Sequence, residues 1–297
     1  MILLTGASGF LGKVFLKEFQ AMNATILTIG RAPGSSIRCD LSVEVPILPN
    51  AEIVIHAAGK AHSIPGTKSE KKSFYDVNVE GTRHLLSALE GNTALKKFIF
   101  ISSVSVYGLT TGNEISEDSP LLADDPYGKS KIIAEGLVEQ WCKRRNIDYY
   151  ILRLPLVGGN DAPGNLGAMS KGIKTGKYFS IGSASAKKSM VLATDVATFI
   201  STLKGPPGIY NLTDGYHPSF KELETKIAIH YGKKKPLSLP LSLAKILAFT
   251  GDIVGKAFPL NSSRLNKIIS TLTFSDRRAR ELLNWKSTEI LNAWEVE

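Results

Sequence analysis

The chain has 297 residues, a formal net charge of +9, and 43% hydrophobic against 21% charged residues, which is typical of a soluble protein with one large α/β domain and an additional lobe. No dense basic helix with interleaved aromatic residues accompanies the positive charge, so we expect no nucleic-acid partner. Two cysteines, Cys39 and Cys142, exclude a disulfide framework and indicate reduced thiols, and no spacing of Cys and His residues indicates a metal site.

The chain opens directly on strand-forming residues, which leaves no room for a signal peptide, so we expect a cytoplasmic protein. The most apolar stretch, residues 237–258, contains Lys245, Asp252 and Lys256 and is interrupted by Gly251, so it does not predict a membrane span. We expect a helix pair here that packs within the second lobe. Weak contact with a membrane surface is the alternative.

The first twelve residues predict a strand, a tight glycine turn and a helix. Four residues typical of a strand lead into Gly6, Gly9 and Gly12, and an amphipathic segment follows. Glycines in this pattern permit a sharp turn, a close approach of a ligand to the backbone, and packing of the helix on the strand. The free N–H groups at the helix start favour an anion such as a pyrophosphate. A glycine-rich turn that binds nothing is the alternative.

Strands and helices alternate along the rest of the N-terminal half. Strands are predicted at 25–30, 53–56, 97–102 and 149–154, with a short one ending near Asp40. A long helix is predicted from Pro126 to about Arg145, with the proline in its first turn. This alternation predicts βαβ units and therefore a doubly wound parallel sheet, a Rossmann domain.

The C-terminal half predicts a smaller, mainly helical lobe. We place the dinucleotide-binding Rossmann domain at residues 1–155 and the substrate-binding lobe at 156–188 and 214–297. Residues 189–213 are expected to return to the first domain through a short strand, a helix capped by Asp195 and a further strand.

Tyr127 and Lys131 lie four residues apart on one face of the predicted long helix. A neighbouring ammonium, together with the positive charge of an oxidised nicotinamide, favours the phenolate and lowers the pKa of a tyrosine from its usual value near ~10. Such a group can take a proton from an alcohol while a hydride leaves the carbon, and can return it. An exposed helix pair without a catalytic role is the alternative.

Three serines lie at the end of the strand predicted at 97–102: Ser102 is its last residue, and Ser103 and Ser105 follow it. Because ligands of open parallel sheets bind at the carboxyl ends of the strands, a hydroxyl group here is placed to hydrogen-bond a reacting oxygen. A polar strand end with a capping serine is the alternative.

These motifs occur in the order seen in the extended short-chain dehydrogenase/reductase superfamily, and within it the chain resembles the nucleotide-sugar epimerases, dehydratases and reductases of the NAD-dependent epimerase/dehydratase family. The resemblance covers nearly the whole chain. The segments that carry it are Thr5–Gly12, His56–Gly59, Asn78–Thr82, Ser102–Gly108, the Tyr127/Lys131 pair, Arg153-Leu-Pro, Thr194-Asp-Val-Ala and the segment that closes on Trp285.

The resemblance implies that Tyr127 is the catalytic acid/base, that Lys131 supports it and holds the nicotinamide ribose, and that Ser103 is the catalytic Ser/Thr. The residues expected at the cofactor are Gly6, Ser8, Gly9, Phe10, Leu11, Gly12, Arg31, Asp40, Leu41, Ala57, Ala58, Gly59, Asn78, Tyr127, Lys131 and Leu154. The residues expected at the substrate are Ser103, Ser105, Asn165, Phe179, Lys188 and Arg264. For Asn165, Phe179, Lys188 and Arg264, the alternative is that they are ordinary surface or core residues.

Two departures from the family pattern narrow the expected reaction. Sugar dehydratases of this family usually carry Asp-Glu directly after the catalytic Ser/Thr, whereas here Val104 and Ser105 stand there, so dehydration is disfavoured. NAD-dependent members usually place an Asp at the end of the second strand, whereas here Arg31 follows Gly30. A guanidinium at this place can bind a 2′-phosphate, which predicts NADP(H), with NAD as the alternative and adenine stacking as another use of Arg31.

A preference for NADP(H) favours an enzyme that consumes its cofactor, so the leading hypothesis is a nucleotide 4-keto-sugar reductase. A nucleotide-sugar 4-epimerase with bound NAD is the alternative, and a non-catalytic dinucleotide sensor is a third hypothesis that the Tyr127/Lys131 pair disfavours. The expected substrate is a uridine-linked sugar used in polysaccharide biosynthesis. The resemblance further implies a homodimer.

Overall fold

A computed structural model of the protein describes residues 1–61, 65–159, 162–255 and 260–293. Residues 160–161 of the predicted loop after the sheet domain and residues 256–258 of the apolar stretch lie outside these ranges. The strands are β1 (Ile2–Thr5), β2 (Ile26–Gly30), β3 (Ile37–Arg38), β4 (Ile53–His56), β5 (Lys97–Ser103), β6 (Gly112–Ile115), β7 (Asp148–Leu154), β8 (Leu156–Gly158), β9 (Ser180–Ile181), β10 (Met190–Leu192), β11 (Gly208–Asn211), β12 (Ser238–Leu239) and β13 (Leu272–Phe274).

The helices alternate with these strands, and a π-helical turn (Asp76–Glu80) joins the second helix to the third. They are α1 (Phe10–Ala21), α2 (Lys68–Tyr75), α3 (Gly81–Ala88), α4 (Pro126–Arg145), α5 (Gly164–Lys174), α6 (Ala193–Thr202), α7 (Phe220–His230), α8 (Leu241–Val254), α9 (Ser262–Ile269), α10 (Arg277–Leu283) and α11 (Ile290–Ala293).

The centre of the fold is a seven-stranded sheet in the order β11-β7-β5-β4-β1-β2-β3. All of its neighbouring strands pair in parallel. Parallel strands are buried on both faces, which explains why β4 and β5 are nearly continuous apolar segments. The structure therefore confirms the predicted doubly wound α/β fold of Rossmann type, and it aligns the carboxyl ends of β1, β4 and β5 at one edge.

Helices cover both faces of this sheet. On one face, Phe15 and Phe19 of α1 and Val196 of α6 pack against the strands. On the other, Leu85 of α3 and Val138 of α4 form the second core layer. Helix α4, which has the predicted bounds, therefore has its position fixed along its whole length by the sheet.

The remaining elements form smaller units. Helices α5 and α7 share an apolar cluster with α11, and α8 packs on α9 in another. Three two-stranded sheets, β10-β8, β12-β9 and β13-β6, join segments far apart in the chain. Of the strands in these three sheets, the sequence predicted only β10, as the short strand at the start of residues 189–213, because segments of two to four residues carry too little periodicity to identify a strand.

Two details differ from the sequence prediction. The apolar stretch forms the short strand β12 and, within the described residues, the single helix α8 rather than a helix pair. Asp195 lies in the first turn of α6, whose N-cap is Leu192. Its carboxylate instead accepts a hydrogen bond from the backbone N–H of Thr288, at 2.6 Å, so it ties the C-terminal segment to this helix. Among the described helices, none has both the length and the apolar character needed to cross a membrane.

The segment that closes the sequence resemblance returns to the core of the sheet domain. Trp285 is only 2% exposed and belongs to the cluster around β1, α1 and β7. Its ring packs edge-on against Phe199 of α6, with 4.9 Å between the centroids. Its indole N–H donates to the carbonyl O of Thr213 at 2.9 Å.

Replacing Trp285 by Ala is expected to lower the free energy of unfolding by about 3–5 kcal/mol, because it opens a cavity and leaves the Thr213 carbonyl without its donor. Urea denaturation followed by circular dichroism measures this loss. Leu282→Ala, at a position that is 51% exposed, is the matched control and should change the stability by no more than about 0.5 kcal/mol. Equal losses in both variants would contradict the assignment of Trp285 to the core.

Candidate active site

The glycine turn between β1 and α1 is closed by backbone contacts that admit no side chain. Gly6 has φ +75°, and an ideal Cβ on it would lie 2.6 Å from the backbone N of Ala58. A Cβ on Gly12 would overlap the carbonyl O of Gly6. The N-cap of α1, Gly9, makes no side-chain hydrogen bond, and no acidic residue lies in the first turn. The helix start is therefore suited to an anion, as the pyrophosphate of a dinucleotide requires.

A chain of hydrogen bonds connects this turn to the loop after β4. The backbone N–H of Ala58 donates to Thr5 Oγ1 at 3.0 Å, and Thr5 Oγ1 lies 2.7 Å from His56 Nδ1. On the other side of the ring, His56 Nε2 lies 2.9 Å from Thr82 Oγ1, which itself donates to the carbonyl O of Asn78. Because Thr82 donates its proton to the Asn78 carbonyl, it must accept from His56 Nε2–H, and the neutral ring then accepts at Nδ1 from the Thr5 hydroxyl. Burial, with a smaller effect of the charge on Lys131, lowers the pKa of His56 to about 3.

Asn78 lies in the π-helical turn and connects this loop to α4. Its amide N donates to Ser130 Oγ at 2.8 Å and to the carbonyl O of Lys60 at 3.1 Å. Its amide O accepts from the backbone N–H of Lys60 at 2.7 Å. Single π-helical turns within helices are frequent at functional sites. This turn directs the side chain of Asn78, one of the expected cofactor residues, toward the loop 57–60 rather than along the helix surface.

Helix α4 presents three polar side chains on one face, because Tyr127, Lys131 and Glu135 follow one another at intervals of four residues. Asp125 caps the helix by accepting from the backbone N–H groups of Tyr127 and Gly128 at 3.0 and 3.1 Å. The cap fixes the first turn, and therefore the place of the phenol ring, at the carboxyl end of β5.

Lys131 is buried at 5% exposure. Its ammonium donates to the carbonyl O of Ile101 on β5 at 2.8 Å and lies 4.6 Å from the centre of the Phe100 ring. An ideal Cβ on Gly59 would lie 3.4 Å from Lys131 Nζ, so the loop after β4 passes directly over the ammonium. Burial lowers the pKa of Lys131 to about 8, and the charge on Glu135 opposes this shift.

Tyr127 is half-buried, and its hydroxyl group is hydrogen-bonded to Ser103. Burial raises the pKa of Tyr127, and the hydrogen bond from Ser103 only partly offsets this. Lys131 does not contribute to this shift, and its ammonium donates to the Ile101 carbonyl. The lowering expected from an oxidised nicotinamide stays a prediction. Ser103 also caps the short 3₁₀ turn that follows β5, accepting from the backbone N–H of Ser105 at 3.1 Å.

Glu135 is a site residue that the sequence analysis missed. It forms a buried ion pair with Arg153 of β7, with 2.7 Å between Oε2 and Nη2, and it accepts a hydrogen bond from Ser102 of β5. Arg153 is also hydrogen-bonded to the hydroxyl group of Tyr107, at 3.0 Å. The signal in the sequence was helical spacing: Glu135 is the next residue after Tyr127 and Lys131 on the same face.

Arg31 follows β2 and is 76% exposed at its side chain. Its guanidinium lies 3.7 Å from the carboxylate of Asp40. That carboxylate also accepts from the hydroxyl and the backbone N–H of Ser42, and these hydrogen bonds, the hydroxyl's above all, hold the pKa of Asp40 below its usual value. An acidic group therefore accompanies Arg31, although none is adjacent in the sequence.

The other expected cofactor residues are distributed around the same edge of the sheet. Ser8 is exposed in the glycine turn, whereas Leu41 and Leu154 are buried. Phe10 and Leu11 open α1, and Ala57 lies in the loop after β4.

The expected substrate residues are more scattered. Ser105 lies beside Ser103, with 3.1 Å between the hydroxyl oxygens, while Asn165 is exposed in the first turn of α5. Lys188 donates to the carbonyl O of Ser270 at 2.8 Å, just after α9, the helix that carries Arg264. Burial lowers the pKa of Lys188 to about 8. Phe179 is 58% exposed and lines a groove with the lysines 233–235.

We expect acid to destabilise the protein through His56. Its pKa is about 3 in the folded state against 6.5 for an unperturbed histidine, so the unfolded state binds the proton more strongly and stability falls as the pH drops below 6.5. Between pH 7 and pH 5, the free energy of unfolding should fall by about 2 kcal/mol more in the wild type than in His56→Gln. Urea denaturation at both pH values measures the difference, and parallel changes would show that His56 titrates normally.

Comparison with known proteins places this site in a family. The sequence profile of the NAD dependent epimerase/dehydratase family matches residues 2–212. The chain is 30% identical to N-acetyl-alpha-D-glucosaminyl-diphospho-ditrans,octacis-undecaprenol 4-epimerase of Escherichia coli O157:H7, over 92% of this chain and 86% of the relative. It is 26% identical to UDP-glucose 4-epimerase of Vibrio cholerae, over 98% of this chain and 92% of that enzyme.

The fold is also similar to that of solved structures. A UDP-glucuronic acid 4-epimerase of Bacillus cereus, in complex with a fluorinated UDP-sugar and NAD, superposes with a TM-score of 0.74 at 21% identity, covering 98% of this chain and 95% of that one. The glycine turn, the Ser103/Tyr127 hydrogen bond and the buried lysine lie in the part of the chain that the profile matches. The protein therefore belongs to the NAD-dependent epimerase/dehydratase family of enzymes.

Proposed function

We propose that the protein is a 4-epimerase that acts on a diphosphate-linked hexose, a nucleotide sugar, with bound NAD. The observation that carries the proposal is the placement of Ser103 and Tyr127 together at the carboxyl end of β5, beside the glycine turn. Two relatives that align over more than nine-tenths of this chain are 4-epimerases. This replaces the reductase hypothesis as the leading one, because the argument for the reductase rested on the cofactor preference inferred from Arg31.

The residues of this site suit a reversible oxidation at one carbon. Bound NAD supplies a hydride acceptor that can return the hydride to either face of the sugar. Tyr127 takes the proton of the C4 hydroxyl group as the C4–H bond breaks, and it returns the proton when that bond is formed again. Ser103 hydrogen-bonds the same oxygen and so keeps it at the phenol. The reaction changes a configuration without net oxidation, so it requires neither a second cofactor nor a leaving group.

The surroundings of Tyr127 make its action dependent on the cofactor. Burial raises the pKa of Tyr127 in the protein alone, so the phenol stays neutral near pH 7. A positive charge on a bound nicotinamide would favour the phenolate of Tyr127, and hydride transfer, which removes that charge, would favour the phenol. The direction of proton transfer is thus coupled to the oxidation state of the bound cofactor. This arrangement suits an enzyme that runs the same step forward and backward.

The pairing of Arg31 with Asp40 supports NAD as the cofactor. A 2′-phosphate at Arg31 would meet the carboxylate of Asp40, which is 3.7 Å from the guanidinium and is kept ionised by Ser42. A carboxylate at this place suits ribose hydroxyl groups, which can donate to it. The sequence alone favoured NADP(H). Binding of this cofactor would require Arg31 to leave the carboxylate of Asp40 and to pair with the 2′-phosphate.

The proposal includes two expectations that rest on the family. The base of the nucleotide is expected to be uridine, as in the UDP-sugar epimerases to which the chain is similar. The protein is expected to form a homodimer, through the surface of the long helices of the sheet domain around Asn78 and Tyr127.

The first test is interconversion of a UDP-hexose without an added reductant. Incubation with UDP-glucose, UDP-N-acetylglucosamine and UDP-glucuronic acid, followed by chromatography and proton NMR, should give the 4-epimer of at least one of them. Tyr127→Phe should lower the rate by a factor of about 10² to 10⁴, because the general acid/base is removed.

Tyr216→Phe, at an exposed position, is the matched control and should keep the wild-type rate. Both variants should retain bound dinucleotide. Interconversion at the wild-type rate by Tyr127→Phe would remove the proposed role of this residue. Consumption of NADPH with a nucleotide 4-keto sugar, in the absence of any interconversion, would instead identify a reductase.

Asp40→Asn tests the cofactor assignment. Removing the carboxylate leaves the Arg31 guanidinium available to a 2′-phosphate, so NADPH binding should tighten relative to NADH by about ten- to a hundredfold, the effect of one charge-assisted hydrogen bond. Fluorescence titration of the stripped protein measures both affinities. In the double variant with Arg31→Ala the gain should disappear. A wild type that already binds NADPH more tightly, and loses this on Arg31→Ala alone, would establish NADP(H) instead.

A further inference from the structure

Helix α8 buries only its small side chains. Ala244, Ala248 and Gly251 lie on one face and pack against Leu265 of α9. Small residues on this face let the two helices approach closely. Large apolar residues would be expected on the buried side of an ordinary amphipathic helix, and in α8 they lie on the opposite side.

The outward face of α8 is an exposed apolar stripe. Ile246, Phe249 and Ile253 follow one another at helical spacing and are 62%, 65% and 73% exposed. Leu243 at 44% and Val254 at 55% widen the stripe on one flank. Large apolar side chains that are contiguous and exposed mark an interaction site, whereas scattered ones do not. Fourteen residues of helix give the stripe a length of about 21 Å.

Cations are concentrated in the segments that lead into α8 and in those that pack beside it. Residues 171–181, 232–255 and 260–270 contain nine Lys or Arg side chains and a single acidic one, Asp252. Most of the formal net charge of the protein, +9, therefore lies on these segments. Strand β9 pairs with β12 in parallel, which brings the end of α5 beside the residues that lead into α8. The exposed lysines 233–235 and the 75% exposed Leu237 line one groove there, with Phe179.

We propose that the outward face of α8 and its lysine rim form a docking surface for an anionic lipid bilayer. An apolar face flanked by Lys side chains is the pattern of helices that lie in the plane of a membrane, with the apolar side chains in the acyl boundary and the ammonium groups among the phosphates. The helix is too short to cross the hydrocarbon core, which is about 30 Å thick. It would lie along the surface.

The charge argues against a second copy of this chain as the occupant. A two-fold interface would place the same patch on both protomers and bring the lysine rims together. Like charges facing each other across an interface are unfavourable. A phosphate-rich surface removes this repulsion and also accepts the apolar side chains, so it complements both features of the face.

The test is flotation of the full-length protein with vesicles, with no substrate and no turnover. Vesicles of equal parts phosphatidylglycerol and phosphatidylcholine should carry the protein to the top of the gradient at low salt, and vesicles of phosphatidylcholine alone should not. Phe249→Gln combined with Ile253→Gln should lower the partition coefficient at least about tenfold, because two inserted side chains are lost. Replacing Lys233, Lys234 and Lys235 by Gln should lower the partition coefficient on the order of a hundredfold. High salt should cause a similar loss in the wild type.

Val43→Gln combined with Ile47→Gln is the matched control, because these apolar side chains are 73% and 95% exposed and belong to the segment between β3 and β4, not to α8 or its lysine rim. The control should float like the wild type, and all variants should keep its melting temperature. Absence of flotation with anionic vesicles, or an equal loss in the control, would overturn the proposal. So would a wild-type dimer, seen by sedimentation, that the α8 variant converts to a monomer. None of these outcomes depends on the proposed epimerase activity, which is measured separately with soluble UDP-sugars.

Discussion

The buried ion pair between Glu135 of α4 and Arg153 of β7 is the interaction on which the site depends. Both side chains are almost fully buried, at 4% and 2% exposure, so neither charge is hydrated. The pair is stable in the core because Ser102 and Tyr107 form further hydrogen bonds with its two members. Breaking such a pair by removing one partner costs about 3–5 kcal/mol, because the other charge stays buried and unpaired. The long helix is thereby fixed against two neighbouring strands, and with it the positions of Tyr127 and Lys131.

Fixing the helix in this way also sets the electrostatics of the site. Lys131 lies one turn from Glu135, and its ammonium is directed to the Ile101 carbonyl, at 2.8 Å, rather than to the phenol of Tyr127. The phenol therefore has Ser103 as its hydrogen-bonding partner and a pKa raised by burial. If Tyr127 were a phenolate before the cofactor bound, it could take a proton from solvent instead of from the substrate. In the proposed mechanism, the base is formed only when a positive charge arrives with the cofactor, which keeps proton transfer and hydride transfer together.

The sequence predicted those parts of the molecule that depend on local periodicity and on the backbone. The long helix from Pro126 to Arg145 and the strands at 53–56 and 97–102 follow from apolar patterning, and the parallel sheet follows from their alternation. The sequence did not predict contacts between distant segments. Nothing near Arg31 shows that Asp40 turns back toward it, and the carbonyl that engages Lys131 has no side-chain signature at all. Helical spacing could have predicted that Glu135 shares a face with Tyr127 and Lys131. Its charged partner, Arg153, could not be predicted in the same way, because the apolar pattern of its strand indicated only that the strand is buried.

The structure defines the proposed chemistry more closely than it defines the substrate, because the residues for the two tasks are held differently. The residues proposed to act in the reaction are attached to rigid elements: Ser103 ends β5, Tyr127 lies in the capped first turn of α4, and the glycine turn admits no side chain. Two of the residues expected at the substrate are held differently, because Asn165 and Phe179 are exposed. Exposed side chains can change without disturbing the fold, so one catalytic arrangement can serve substrates that differ in sugar and in carrier.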